Sequence, residues 1–294
     1  MTTSNHIALP APQIIEIAGP DASAFAQAQF SSNLAELANG HWQWSAWLSA
    51  QGRVRAFFHL LRDDDEHLRL ILRGGSATSL RDALARYVLR AKATLRTIEQ
   101  VGAFVERLPL GDDMSAESAQ AKRIDYSDGN RAIILPGSPP RRLTLRDAEG
   151  TAVDANVSEV ARNANDQADI EAGLVTLAPV LEDKLLPAWI GLDALGATST
   201  NKGCYPGQEI VARLHFKGGN KRHLHRIEFK ATRLPEPGTA LGEGGLIVCS
   251  ARIDGERAAA LAVLDGQISD TPDDLSTPGI SVLAVERINA KDEM

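Results

Sequence analysis

The sequence predicts an α+β fold that ends in a small all-β module, and three observations carry that prediction. Helix-like and strand-like periodicities alternate up to Arg222. Beyond it the texture changes to short apolar strands punctuated by Gly and Pro turns. The 294 residues also exceed one small core and, at about 100–200 residues per domain, imply two or three parts. The expected division is an α/β part over 1–100, a second α/β part over 101–222 and a β-barrel over 223–294, with the last boundary near 217–225.

Each element has its own signal. In GPDASAFAQAQF, Asp21 precedes an Ala-rich run and reads as a helix cap, with Phe25 and Ala28 on one face. HWQWSAWLSA alternates, placing Trp42, Trp44, Ala46 and Leu48 on one side of a strand. Three of the four tryptophans fall there, a pattern of core packing rather than of a cofactor box. SAQGRVRAFFHLL turns at Gly52 into a second strand, and HLRLIL makes a third. SATSLRDALARYVLR sets Leu80, Leu84, Tyr87 and Val88 on one helical face, and KATLRTIEQV returns as a strand. GAFVERLPL, RAIILP and RRLTLR read as strands around the polar stretch GDDMSAESAQAKR, and ARNANDQADIEAGL as a helix. HLHRIEF, GLIVCSARI, AAALAVL and ISVLAVERI supply the barrel, with DGQISDTPDDLSTPG as a loop inside it.

Composition narrows the function classes. Hydrophobic residues at 44% and charged residues at 23% describe a globular protein rather than a disordered chain. MTTSNHIALPAPQIIEI has neither the basic start nor the apolar run of a signal peptide, and no apolar stretch approaches the ~18 residues of a membrane span. A cytoplasmic protein without a membrane partner is the expectation. Cys204 and Cys249 give no disulfide framework and no CxxC pair, so no metal site is predicted.

The net charge of −7 disfavours nucleic acid as a partner of the whole surface. Locally, KGGNKRHLHR gathers Lys217, Lys221, Arg222 and Arg226 with His223 and His225, and contains no acid. The run reads either as a solvated loop, the commoner case, or as a site for a phosphate or a polyglutamate tail. Without interleaved aromatic residues it is a poor RNA reader.

The most specific stretch is STNKGCYPGQEIVARLHF. Gly203, Pro206 and Gly207 force a turn, and EIVARLHF continues as a strand or the start of a helix. Cys204 stands two residues after Lys202, whose charge would favour a thiolate, and Gly203 leaves the thiol uncrowded. His215 and His223 are near in sequence, yet nothing fixes either one against Cys204 as a base. Cys249, in the apolar LIVCS, reads as core. P-loop, GxGxxG, HExxH and GxSxG patterns are absent.

NKGCYPGQEIVAR resembles the K-G-C-[FY]-x-G-Q-E signature of the YgfZ-type folate-binding proteins, relatives of the glycine-cleavage T-protein. EAGLVTLAPVL, GLDALGATSTNKGCY, KGGNKR, GPDASAFAQAQFSSNL and SAQGRVRAFF stand in the family order, so the resemblance spans most of the chain. It is strongest at 13–60 and 170–226. The resemblance implies two α/β parts around a cleft for tetrahydrofolate or a derivative, closed by the C-terminal barrel. It implies a role in making or repairing iron–sulfur proteins, including one that thiolates tRNA, through transient assembly or client partners.

By the same resemblance, Lys202, Gly203, Cys204, Tyr205, Gly207, Gln208, Glu209 and Arg213 form the site, with Cys204 as the functional thiol. Lys217, Lys221 and Arg222 lie toward a folate tail. Glu171 matches the glutamate that binds the pterin, whose paired N–H donors suit a carboxylate. Asp169 replaces the usual arginine two positions before it. The T-protein hairpin reads G-G-x-x-D-D, and this chain has Gly52-Arg53-Val54-Arg55-Ala56-Phe57. Without that acid, glycine-cleavage transfer is not expected. A one-carbon transferase on another substrate and an RNA-binding module stand as the alternatives.

Overall fold

A computed structural model of the chain describes residues 6–108, 122–147, 157–266 and 272–288. Strand β1 (His6–Leu9) opens the described chain. The first sheet comes next: β2 (Ile14–Ala18), β3 (His41–Leu48), β4 (Val54–Arg62), β5 (His67–Leu72) and β6 (Thr94–Ile98), antiparallel in the order β3-β4-β5-β2-β6. Alternation along β3 sorts its tryptophans. Trp42 and Trp44 enter one core with Ala46 and Leu48, while Trp47 is buried on the opposite face. Trp44 stacks on Phe57 with ring centroids 5.1 Å apart and lies 4.1 Å from His59. An indole of this kind buries about 150–250 Å², worth about 4–6 kcal/mol.

Helices α1 (Ala22–Gln29) and α2 (Ala77–Ala85) cover the Trp47 face. Three details depart from the sequence expectation. Asp21 precedes α1 but does not cap it, because its carboxylate accepts the backbone N–H of Lys92 at 2.7 Å. The buried stripe of α1 is Ala22, Phe25 and Ala26, and Ala28 is exposed. Helix α2 stops at Ala85, which leaves Tyr87 outside it and 46% exposed.

The second sheet combines β1 with β7 (Val101–Arg107), β8 (Arg131–Leu135) and β9 (Arg141–Asp147) in the order β1-β7-β9-β8. The polar stretch GDDMSAESAQAKR lies outside the described residues, apart from Lys122 and Arg123. Helix α3 (Glu159–Glu171) is capped by Ser158, whose hydroxyl accepts from the Ala161 N–H. The GQEIVAR segment resolves as helix, α4 (Gln208–Lys217).

The third sheet comprises β10 (Arg222–Lys230), β11 (Ala240–Leu241), β12 (Gly245–Asp254), β13 (Arg257–Asp265) and β14 (Ser281–Arg287). Its order, β11-β12-β13-β10-β14, makes a curled half-barrel. Within the expected loop DGQISDTPDDLSTPG, the described part contains a short helix, α5 (Pro272–Leu275). No helix among the described residues is long and apolar enough to cross a membrane.

The three sheets share one core. Ile14, Trp44 and Phe57 from the first, Val105, Ile133 and Leu143 from the second, and Leu224, Val248 and Leu261 from the third belong to one contiguous cluster. A buried ion network lies where α3 meets β5 and β9. Asp169 accepts from Arg73 at 2.9 Å and from Arg141 at 2.6 Å, and Arg141 is 1% exposed.

Candidate functional site

The segment from Ala197 to Gln208 is held against the chain that leaves α1. Ser31 donates through Oγ to the Ala197 carbonyl at 2.7 Å, and the Ser199 N–H returns a bond to the Ser31 carbonyl at 2.8 Å. Lys202 completes the attachment: its ammonium donates to the carbonyls of Phe30 at 2.7 Å and Ser32 at 2.8 Å. Burial lowers the Lys202 pKa to about 8. The sequence suggested that Lys202 serves the thiol of Cys204. In the structure the ammonium is engaged by two backbone oxygens, which fastens the loop.

Tyr205 is buried and donates to the Ser199 carbonyl at 2.9 Å, with the Lys202 ammonium 5.0 Å above its ring. Burial pushes its phenol up to about 12. Gln208 reaches back from the first turn of α4 to the Lys202 carbonyl at 3.3 Å. Gly207 takes the left-handed conformation, φ +78°, and a Cβ there would stand 2.6 Å from both the Gly52 Cα and the Ser49 carbonyl. Only glycine fits this approach of the loop to the β3–β4 turn. Just past that turn, Ala56 and Phe57 of β4 are buried.

Inside this scaffold Cys204 is exposed, and Gly203 beside it faces open space. Glu209 is exposed in the first turn of α4, where a carboxylate suits the helix dipole. Arg213, Lys217 and Lys221 are exposed. Arg222 is half-buried, with its guanidinium 5.0 Å over the Trp189 ring, so part of its cation is already engaged by the protein. The basic run is not a single loop: Lys217 ends α4 and Arg222 begins β10. The acid it lacks in sequence comes from β14, where Glu286 pairs with Arg226 at 2.5 Å.

One face of α4 lines a cavity of about 440 Å³ through Ile210, Val211, Leu214 and His215. Thr198 and Thr200 come from the loop, and Asn220, His223 and Ile288 close the far side. Asn220 donates through Nδ2 to the Ala188 carbonyl and leaves its Oδ1 buried without a donor among the described residues. Glu171, the last residue of α3, is exposed. Two residues on, Gly173 packs so closely on Ile288 that a Cβ would approach its Cγ2 to 2.8 Å. The carboxylate that α3 buries is Asp169.

Cys249 packs against the main core, as its sequence reading has it. It is partly covered and joins Asp166, Asp169 and Ser250 around a second cavity of about 330 Å³. Burial pushes its thiol up to about 11. Sequence reasoning missed Arg141 and His59 altogether. The alternation of RRLTLR was the available signal for the first, since it puts Arg141 on the face of Leu143 and Leu145.

No protein-family model matches the chain. It is 31% identical over 241 residues to the tRNA-modifying protein YgfZ of Edwardsiella ictaluri, covering 75% of this chain and 70% of that one. The tRNA-modifying protein YgfZ of Escherichia coli K12 is 29% identical over 267 residues, or 86% of this chain and 79% of the relative. Among solved structures, the glycine cleavage system aminomethyltransferase T of Bartonella henselae superposes with a TM-score of 0.66 at 13% identity. That superposition takes in 97% of this chain and 85% of the other, and shows a shared fold. With the signature loop intact and the similarity spread along most of both chains, this protein belongs to the YgfZ family.

Proposed function

We propose that this chain binds tetrahydrofolate or a derivative and acts in the cytoplasm as an accessory protein for iron–sulfur cluster assembly or repair. The enzymes it serves would include one that thiolates tRNA, in keeping with the name its relatives carry. The observation that carries this reading is the presentation of Cys204: an exposed thiol beside an open glycine, on a loop fastened at Lys202, Tyr205 and Gly207. One thiol is too few to hold a cluster alone, so a cluster would be cargo shared with a partner protein.

The cavity beside α4 supports the folate half of the reading. Its volume falls in the range of small-molecule sites and its walls are largely apolar, with a few polar side chains among them. Thr198, Thr200 and Asn220 would supply the polar contacts of the pterin. Glu171, outside the cavity lining and exposed, is proposed as the pterin acceptor on the family resemblance, and exposed Lys217 and Lys221 as partners of the glutamate tail. A bound tetrahydrofolate supplies a one-carbon carrier. The absence of an acid from the stretch Gly52 to Phe57 argues for binding without aminomethyl transfer.

Calorimetric titration with tetrahydrofolate, together with complementation by Cys204→Ser at matched soluble levels, tests both halves. Binding that Glu171→Gln weakens by about 1–3 kcal/mol, with Cys204→Ser folded and folate-binding yet unable to restore iron–sulfur enzyme activity, is the expected result. Full rescue by Cys204→Ser removes the thiol from the mechanism.

A further inference from the structure

A third cavity, of about 680 Å³, lies where the start of β3 meets the segment leading into β8, and the proposed function makes no use of it. Its walls include Trp42, Ile124, Tyr126 and Ile134, and its polar groups are mostly donors: Lys122, Arg123, His41 and Arg142. The backbone builds this site. The Trp42 N–H donates to the Lys122 carbonyl at 2.8 Å, the Ile124 N–H donates to the Gly40 carbonyl at 2.8 Å, and His41 bridges Arg123. Lys122 adopts φ +42°, in the left-handed region that an L-residue occupies only when its surroundings hold it there.

The charges are unbalanced. Asp125, the acid of the cavity, pairs with Arg142, and the Tyr126 hydroxyl donates to Asp63 at 2.8 Å. His41 has its Nδ1 at the Asn39 carbonyl. Lys122 remains: its ammonium is half-buried, 5.9 Å from the Trp42 ring centroid, and no carboxylate among the described residues pairs with it. Burial lowers its pKa, the signature of a cation without compensation. Trp42 itself is 2% exposed, and its indole Nε1 has no acceptor among the described residues. Arg123 adds an exposed guanidinium at the rim.

We propose that this cavity is a second ligand site, for a small molecule carrying a phosphate or carboxylate group, with Lys122 as its principal counter-ion. The apolar walls take the body of the ligand, and Lys122 and Arg123 take its charge. The site is independent of folate binding beside α4, since no residue lines both cavities.

The test uses the whole chain and two probes, adenosine monophosphate for the phosphate and tri-γ-glutamate for the carboxylate. Calorimetry gives affinity, and the Trp42 indole N–H resonance, assigned with Trp42→Phe, reports occupancy without altering the site. At least one probe should bind with Kd of about 1 mM or below at low salt and shift that resonance. Lys122→Gln should weaken binding about tenfold or more, Lys122→Arg should retain it, and tetrahydrofolate affinity should be the same in all three proteins. Binding by one probe alone identifies which anion the site takes. If neither probe moves the Trp42 resonance, or Lys122→Gln binds as well as wild type, the site is refuted.

Discussion

Lys202 and Phe30 meet across 172 positions of sequence, the ammonium 2.7 Å from the carbonyl oxygen, and a matching bond runs to Ser32. Replacing Lys202 with Met should cost about 1.5–3 kcal/mol in urea denaturation, the range for hydrogen bonds to a charged group. The pH dependence has a definite sign. The folded pKa, about 8, lies below the ordinary 10.5, so the unfolded chain holds the proton more tightly. Titration of Lys202 therefore adds stability between about pH 8 and 10.5, on top of its hydrogen bonds, and that addition is lost as pH falls through 8. In Lys202→Met that addition should disappear.

Gly207→Ala should destabilise through two effects at once. Its Cβ enters contact distance of Gly52 and Ser49, and alanine resists φ +78°. A loss of about 1–3 kcal/mol is expected, read as a lower urea midpoint with an unchanged m-value. Gly203→Ala, which faces open space, serves as the control and should be near neutral.

Asp169→Asn keeps the shape of the side chain but strips the compensating charge from Arg73 and from fully buried Arg141. About 3–5 kcal/mol should be lost, the cost of leaving a buried cation unpaired. An equilibrium unfolding curve indistinguishable from wild type would show that water reaches Arg141.

His59 is buried between Trp42 and Trp44, and its pKa is held well below the ordinary 6.5, first by burial and then by the charge of Arg73. The unfolded chain takes up the proton first, so stability contributed above pH 6.5 is lost as pH falls below it. His59→Phe keeps an aromatic ring in the stack and should flatten this part of the acid limb in a thermal-melt series across about pH 4–7.

The two thiols should separate cleanly in a labelling experiment. Cys204 is exposed, whereas the thiol of Cys249 sits at about 11, which leaves about a thousandth as thiolate at pH 8. A disulfide reagent should modify one thiol rapidly in the native protein and the second only on unfolding. Cys204→Ser should abolish the fast phase, and Cys249→Ser should leave it intact.

Legibility in the sequence tracked the range of the interaction. The alternation of HWQWSAWL placed Trp42, Trp44, Ala46 and Leu48 correctly because a strand's period is local and one face is buried. The signature loop was readable because Gly203, Pro206 and Gly207 fix its turn within a few residues. The destinations of the side chains were not readable. Lys202 ends at Phe30, Asp21 at Lys92 and Asp169 at Arg73 and Arg141, and each pairing depends on how distant segments pack. EIVARLHF was undecided for the opposite reason. Its apolar residues Ile210, Val211 and Leu214 fit one helix face, but three positions in so short a run also suit a strand, and none is fully buried.

The common interior of the three sheets bears on how this architecture can change. A molecule assembled from self-sufficient modules tolerates loss or exchange of one of them. Here the C-terminal half-barrel has a small core of its own around Ile227, Phe229 and Leu264, yet its Leu224, Val248 and Leu261 belong to the cluster that also holds Trp44 and Leu143, so cutting it away divides that cluster. Neither fragment would inherit a finished hydrophobic surface. Proteolysis between the half-barrel and the rest should therefore leave each piece with newly exposed apolar surface instead of a trimmed particle of native stability.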